Sequence, residues 1–341
     1  MNHIFYLHSN TCVISSFDVI SQLLSKDEKV IIISERNTKF PFFEGQITLY
    51  DMQKTIDKYR NNTHNVFQLA INYKISLMPH CEEVAKDIID EQDFIFYTPS
   101  YNMYSVKPFL TSKYCKGYYF IEEGFMAYLS EETLRRHYRN RRYKQLHFLM
   151  DFIGAGESFD YLVTDKFRGC YGLTEYSFPW CHNNKVVTGF DGYFSNQVFD
   201  DVDVKYLITT DWLKDDFDVL KKAFDSTLNE ILHNEEHPKL AIKFHPTAFI
   251  NEKKKINSLI DYIQNKFKGI DLEVLPSSFS IETLMYHHPL NIYCIFGVSS
   301  LQLYALMLKS TPHMIVKEDY SVREIKDIPE FVDIATKDWN G

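Results

Sequence analysis

The sequence lacks the long apolar segments that a membrane-spanning protein needs. No stretch approaches the roughly 18 consecutive apolar residues of a transmembrane helix. The N-terminus, MNHIFYLHSN, lacks the basic segment, the longer apolar core and the small-residue cleavage site of a secretory signal peptide. We therefore expect a cytoplasmic protein.

Two further absences exclude classes of binding site. The six cysteines are scattered without any C-x-x-C pair, which argues against a zinc knuckle or a redox dithiol. Free and mostly buried thiols are expected instead. A formal net charge of −9 argues against a general nucleic-acid-binding protein.

The composition is that of a folded globular protein. Of the 341 residues, 45% are hydrophobic and 24% are charged. A chain of this length usually exceeds one hydrophobic core, so two domains are expected. The aromatic content of 16% is high, and we attribute it to core packing before sugar or base stacking.

Short apolar runs alternate with segments of helical periodicity along both halves of the chain, which predicts parallel sheets covered by helices. The second half shows this most clearly, with predicted strands at 205–209, 239–244, 271–275, 291–296 and 313–317 and an amphipathic helix at 256–267. In the first half, strands are predicted at "HIFYL", "KVIIIS", "DFIFYT", "GYYFIE" and "FDYLVT", with helices near 17–24, 81–89 and 131–150.

A polar segment at 191–203 interrupts the alternation, and we place the domain boundary there. The prediction is an α/β protein with two doubly wound, Rossmann-like halves and a cleft between them. The first domain spans 1–195 and the second 203–317, and 318–341 form a C-terminal tail that could pack back on the first domain.

The dipeptide His-Pro occurs three times, and strand polarity separates the three. Ligands of an open parallel sheet bind at the carboxyl ends of its strands. His237 precedes a predicted strand and His288 ends a helix, whereas His245 directly follows "KLAIKF", where Pro246 stops the strand. His245 is therefore a candidate for chemistry, although a structural hydrogen-bonding role is an equal alternative.

The same rule selects polar groups after three other strands. Glu122 and Glu123 follow "GYYFI", and one of them could act as a general base if partly desolvated. Ser299 and Ser300 follow Gly297 where a helix begins, so they are either an N-cap or a phosphate site. The remaining group is Glu282, in the first turn of a helix, which suits either a ribose diol or the helix dipole.

These segments occur in the order "IEEGF" (121–125), "KFHP" (243–246), "FSIETLM" (279–285) and "VSS" (298–300). Together they resemble the bacterial sialyltransferases of the GT-B type, namely the lipooligosaccharide, multifunctional and capsule polysialyltransferase families. Those families share an acidic D/E-D/E-G motif, an HP motif and a Ser/Thr pair. The similarity is confined to short segments between residues 121 and 300.

The resemblance implies two facing Rossmann-like domains, an acceptor-side first domain and a nucleotide-sugar-binding second domain. It implies an inverting, metal-independent transfer of sialic acid from CMP-sialic acid to a hydroxyl of a bacterial surface glycan, such as a terminal galactoside or sialoside. No cofactor is implied. Glu122 would be the base, with Glu123 as the alternative, and His245 the acid. The implied CMP-binding residues are Lys243, Pro246, Glu282, Gly297, Ser299 and Ser300.

The segment "LRRHYRNRRYK" concentrates basic residues between Arg135 and Lys144. We hypothesise that it contacts an anionic glycolipid acceptor or the cytoplasmic face of the inner membrane. The D-x-D sequence at 201–203 precedes its strand, so we interpret it as linker and not as a metal site. Three rival functions stay open: a transferase of another CMP-activated acidic sugar such as Kdo, a hydrolase that uses His245, and a non-catalytic glycan-binding protein.

Overall fold

The computed structural model describes residues 1–35, 38–53, 75, 78–99, 105–138, 164–197, 203–210, 215–245, 248, 252–276 and 279–338. The chain divides into two compact units, Met1–Asn196 and Gln197–Gly341. Each unit is built on one sheet with helices packed against it. The predicted α/β class with two Rossmann-like units is confirmed.

The first unit holds a seven-stranded sheet in the order β3-β2-β1-β4-β5-β6-β7, in which every pairing is parallel. The sheet order reverses at β1, next to β4, which is the switch point where open α/β sheets place their ligands. Its strands are β1 (Asn2–Leu7), β2 (Lys29–Ser34), β3 (Ile47–Asp51), β4 (Phe94–Thr98), β5 (Cys115–Ile121), β6 (Phe167–Gly172) and β7 (Lys185–Val187).

Helices cover this sheet because its central strands are apolar on both faces. All six residues of β1 are buried, as expected for a strand between two helical layers. The described helices of the first unit are α1 (Asn10–Leu24), α2 (Met78–Ile89), α3 (Lys107–Thr111), a 3-10 turn (Phe125–Tyr128), α4 (Glu131–Tyr138) and α5 (Asp191–Phe194). The short α5 packs on α1.

The second unit repeats the plan with six strands in the order β10-β9-β8-β11-β12-β13. All pairings are parallel except that of β12 with β13. Its strands are β8 (Tyr206–Thr210), β9 (Lys239–Phe244), β10 (Asp271–Val274), β11 (Asn291–Ile295), β12 (Thr311–Ile315) and β13 (Val322–Glu324). Its described helices are α6 (Phe217–Asn234), α7 (Lys253–Lys266), α8 (Ile281–His287), α9 (Ser300–Met307) and α10 (Ile328–Asp338).

All five strands predicted in the second half are present, as are four of those predicted in the first half. The predicted strand "FDYLVT" falls almost entirely outside the described residues, as does the predicted helix beyond residue 138. Three strands of the first sheet were not predicted. β6 contains two glycines, β7 has only three residues, and β3 is an edge strand with four of its five residues exposed, so none of the three has a strong apolar run.

The segment after residue 317 is part of the second unit. β13 pairs with β12, and α10 contacts α9. The packing of this segment on the first domain stays a prediction. No helix within the described ranges is long and apolar enough to cross a membrane.

Candidate functional site

Two acidic residues follow β5 at the carboxyl edge of the first sheet, and the structure separates them. Glu122 is completely buried. Its Oε1 accepts a hydrogen bond from the Tyr128 hydroxyl at 2.5 Å. Its Oε2 accepts from the Leu173 backbone N–H at 2.7 Å and from the Ser177 hydroxyl at 2.6 Å. The two oxygens therefore bind different segments. Oε1 binds the turn that follows β5, and Oε2 binds the loop that follows β6.

An acceptor hydroxyl cannot approach a carboxylate that is buried and bound in this way. Burial and the neighbouring Glu122 charge also raise the pKa of the Tyr128 hydroxyl well above its usual value, so Tyr128 remains a hydrogen-bond donor. The geometry gives Glu122 a structural role in joining β5 to β6. It favours Glu123 as the candidate base, and the base assignment itself stays a prediction.

Glu123 is placed differently, because 18% of its side chain is exposed. Its Oε2 lies 3.0 Å from Nε2 of His8, the residue that directly follows β1. The other ring nitrogen of His8, Nδ1, lies 3.4 Å from the sulfur of Cys12. Cys12 in turn lies in the first turn of α1, where its backbone N–H donates to the N-cap hydroxyl of Ser9 at 3.2 Å.

The electrostatics of this cluster favour a charged imidazole. Burial by itself lowers the pKa of His8, but the Cys12 sulfur and the Glu123 carboxylate together outweigh it and raise the pKa from 6.5 to about 10. The His8 ring faces Glu123 across a contact that is almost wholly shielded from water on the histidine side.

Glu123 also lines a small pocket whose other walls are apolar. One polar group, the Glu123 carboxylate, thus faces an otherwise apolar wall. The indole N–H of Trp180 is buried in this region and has no hydrogen-bond partner among the described residues. The lining residues besides Glu123 are Pro99, Phe120, Met126, Ala127, Leu134, Phe178 and Trp180.

The second sheet collects the other predicted residues at one edge. His245 directly follows β9, Glu282 lies in the first turn of α8 after β10, and Ser299 precedes α9 after β11. Because all these strands run parallel, their carboxyl ends share one edge, on both sides of the switch point between β8 and β11. His245 is half-buried, and its carbonyl accepts from the Ala248 N–H at 2.8 Å. Pro246 lies outside the described residues.

Lys243, one of the implied CMP-binding residues, has a partner within the protein. Its ammonium group donates to the carbonyl oxygen of Phe279, in the loop that leads to α8. Burial lowers the pKa of Lys243, and the charge of Glu282 partly opposes that shift. Glu282 itself accepts from the Ser280 hydroxyl at 3.0 Å. Lys243 therefore fixes the loop that presents Glu282.

The serine pair has one clear structural function. The Ser299 hydroxyl accepts from the Leu301 N–H at 3.3 Å, and its own N–H donates to the Gln302 side chain at 2.8 Å, so Ser299 is the N-cap of α9. Ser300 is the first residue of the helix and is half-buried. Gly297 has a φ of +101°, in the left-handed region that favours glycine.

Other sequence features carry no site in the structure. All six cysteines are free and buried, as predicted. No group of three or more histidine, cysteine, aspartate or glutamate side chains in the described part of the chain could hold a metal ion. Of the D-x-D sequence, Asp203 forms an ion pair with Lys239, and residues 201 and 202 lie outside the described residues. Residues 139–144, which make up most of the basic run, also lie outside the described residues.

Sequence reasoning missed His8 and the pocket around Trp180. The strand-end rule that selected His245 selects His8 equally, because "HIFYL" ends at Leu7. Trp180 had no such signal, since it lies in a loop between two strands that were not predicted.

Comparison with known proteins supports the fold. No protein-family profile matches the sequence, and no curated protein is detectably similar to it. Solved structures do match. The UDP-GlcNAc 2-epimerase of Neisseria meningitidis bound to UDP-GlcNAc is 13% identical, with a TM-score of 0.52 over 98% of this chain and 85% of its own. MnaA of S. aureus with UDP is 11% identical, with a TM-score of 0.53 over 92% and 79%.

A third structure, the UDP-GlcNAc 2-epimerase of Methanocaldococcus jannaschii with UDP-GlcNAc and UDP, is 15% identical, with a TM-score of 0.50 over 98% and 87% of the two chains. These are two-domain, Rossmann-like enzymes of the GT-B class. The chain has the GT-B fold. This agrees with the fold that the sialyltransferase resemblance implied. At such identities the likeness establishes the fold alone.

Proposed function

We propose that the protein is an inverting glycosyltransferase that moves sialic acid from CMP-sialic acid to a hydroxyl of a glycan acceptor, without a metal or cofactor. The observation that carries this proposal is the placement of the four motif segments. Each follows a strand at the carboxyl edge of its sheet in a GT-B fold. That edge is where such sheets bind ligands.

In the proposed reaction an acceptor hydroxyl attacks the anomeric carbon of the sialyl donor. Glu123 takes the hydroxyl proton, the new carbon–oxygen bond forms, and the bond from the anomeric carbon to the CMP phosphate breaks. Glu123 suits this role better than Glu122 because its carboxylate is partly exposed and opens on an apolar pocket. A partly desolvated carboxylate is an effective general base.

Negative charge develops on the departing CMP phosphate, and the second unit supplies groups that stabilise it. His245 would protonate or hydrogen-bond the phosphate, and the N-terminus of α9 with Ser299 and Ser300 would bind its oxygens. Glu282, presented by the Lys243-anchored loop, would bind the ribose diol. Gly297 would shape the backbone around the nucleotide, and Pro246 stays a sequence-based candidate outside the described residues.

The acceptor would lie against the first unit. The apolar pocket beside Glu123 offers the surface that the hydrophobic face of a galactoside or sialoside needs. Such termini occur on bacterial surface glycans. We also propose that the basic run between Arg135 and Lys144 contacts an anionic acceptor or membrane surface.

The test is direct. Purified protein is incubated with CMP-sialic acid and a panel of galactosides and sialosides, and CMP release and the sialylated product are measured with and without EDTA. We expect EDTA-resistant transfer and a thermal shift with CMP, and His245→Ala should abolish transfer in a folded protein. Absence of transfer together with no CMP shift contradicts the proposal.

The same experiment separates the rival donors. CMP-Kdo as donor tests a transferase of another CMP-activated acidic sugar. UDP-GlcNAc tests the donor that accompanies the matched epimerase structures. Binding of the glycan panel without turnover of any nucleotide sugar would indicate a glycan-binding protein.

A further inference from the structure

His8 contacts Glu123 from a position that the proposed reaction does not use. Its Nε2 lies 3.0 Å from the Glu123 carboxylate, yet only 4% of the His8 side chain is exposed against 18% for Glu123. A substrate bound at the exposed part of Glu123 would therefore not touch the imidazole. Any effect of His8 on the reaction must act through Glu123.

The ring of His8 is itself held from behind. The Cys12 sulfur lies 3.4 Å from Nδ1, and the Ser9 hydroxyl donates to that sulfur at 3.1 Å. With both ring nitrogens engaged, the imidazole cannot turn without losing a contact. Cys12 is fully buried, so its sulfur is not accessible to an electrophilic substrate, and the Cys-His-Glu arrangement does not serve as a nucleophilic triad.

The contact with His8 occupies one oxygen of the carboxylate. Among the described residues only His8 binds the Glu123 side chain, through Oε2, so none of them occupies Oε1. Cys12 on α1 and Glu123 after β5 are the titratable groups that act on His8.

We propose that His8 is a positioning residue for Glu123, which holds one carboxylate oxygen so that the other is directed at the acceptor hydroxyl. The catalytic consequence rests on the proposed function, whereas the contact itself does not. His8 thereby extends the candidate site to the end of β1, next to the switch point of the first sheet.

Two amide variants of matched chemistry test the catalytic part. The amide nitrogen of His8→Gln can take the place of Nε2 and donate to Glu123, whereas His8→Asn is one methylene too short. We expect His8→Asn to lower kcat on the order of 10²-fold, with little change in KM for CMP-sialic acid, because the base is misdirected. His8→Gln should recover at least about a tenth of the wild-type kcat, since it restores the donor.

A purely structural role would make the two amide variants equal. Equal kcat values for His8→Gln and His8→Asn, or a wild-type kcat in His8→Asn, would overturn the proposal. His3→Asn is the matched control, since His3 is a buried histidine at the other end of β1 whose ring nitrogen bonds to Tyr97 at 3.0 Å. It should keep the wild-type kcat.

A second readout does not require activity. The ring nitrogen resonances of His8 in the full-length protein report both its charge and its partner at Nε2. Glu123→Gln, a change at a partly exposed side chain, should shift the Nε2 resonance of His8 and leave that of His3 in place. An unchanged His8 resonance overturns the contact. If the protein transfers no sialic acid while His8 responds to Glu123→Gln, the proposed function fails and the pairing stands.

Discussion

The carboxyl edges of the two sheets are built in different ways. At the first sheet the polar groups are buried and fixed by long-range contacts: Glu122 binds residues 51 and 55 positions away, and His8 binds Glu123 across β4. At the second sheet the contacts are mostly local, such as Ser280 with Glu282 and Ser299 with Leu301. The polar groups of the first edge are therefore fixed before any substrate binds. At the second edge His245, Glu282 and Ser300 are half-buried and Ser299 is exposed.

The largest effects are expected when the same substitution, Glu to Gln, is made at each of the two adjacent glutamates of the first edge. Glu123→Gln should lower sialyl transfer by about 10²- to 10⁴-fold, since it removes the base, and should cost less unfolding free energy than Glu122→Gln, because the amide oxygen can still accept from His8. Glu122→Gln should instead lower the free energy of unfolding by about 3 kcal/mol, because an amide cannot accept from all three buried donors.

Steady-state kinetics and urea unfolding of both variants check this pair. Transfer rates are compared below the unfolding transition, so that loss of folded protein does not count as loss of catalysis. The opposite pattern, a stable but inactive Glu122→Gln beside an active Glu123→Gln, would return the base role to Glu122.

This contrast also marks how far the sequence could predict the site. Strand polarity predicted that both glutamates, His245 and the serine pair lie at carboxyl edges, and the regular strand–helix alternation of the second half predicted five of the six strands of its sheet, all but the short antiparallel β13. The choice between Glu122 and Glu123 was not predictable, because it depends on donors from the loop after β6. That strand, "FRGCYG", has two glycines and no continuous apolar run.

The roles of Lys243 and His8 show the same limit. Lys243 carries the charge that a phosphate site would use, but its ammonium reaches a carbonyl 36 residues further along the chain. His8 satisfied the strand-end rule, yet its importance depends on Glu123, which is 115 positions away and separated by one strand in the sheet. Residue types and strand ends are local properties, whereas partners are set by the packing of distant segments.

His8 should also make the stability of the protein depend on pH. The pKa of His8 is raised from 6.5 to about 10 in the folded protein, so its contribution to stability is fully present below pH 6.5 and is lost as the pH rises towards 10. Each pH unit in that window should remove at most about 1.4 kcal/mol of unfolding free energy.

Urea unfolding between pH 6 and 10 measures this slope, and His8→Gln should flatten it. His3 again serves as the control. Burial lowers the pKa of His3, so its contribution to the pH dependence of stability has the opposite sign and is confined to pH values below 6.5. A slope that persists unchanged in His8→Gln would show that other groups cause it.

The smallest effect on stability is expected at the second edge, where Ser299 both caps α9 and is a proposed phosphate ligand. Ser299→Ala removes the N-cap of α9 and should lower the free energy of unfolding by about 1 kcal/mol, whereas Ser300→Ala, one residue into the helix, should stay within about 0.5 kcal/mol. If this edge binds the CMP phosphate through both hydroxyls, the two variants should weaken the thermal shift with CMP to a similar extent despite their unequal stabilities. If the thermal shift with CMP is weakened only in the destabilised variant, Ser299→Ala, then Ser299 acts as a helix cap and not as a phosphate ligand. The contrast between a rigid first edge and a ligand-dependent second edge would then have no support at this position.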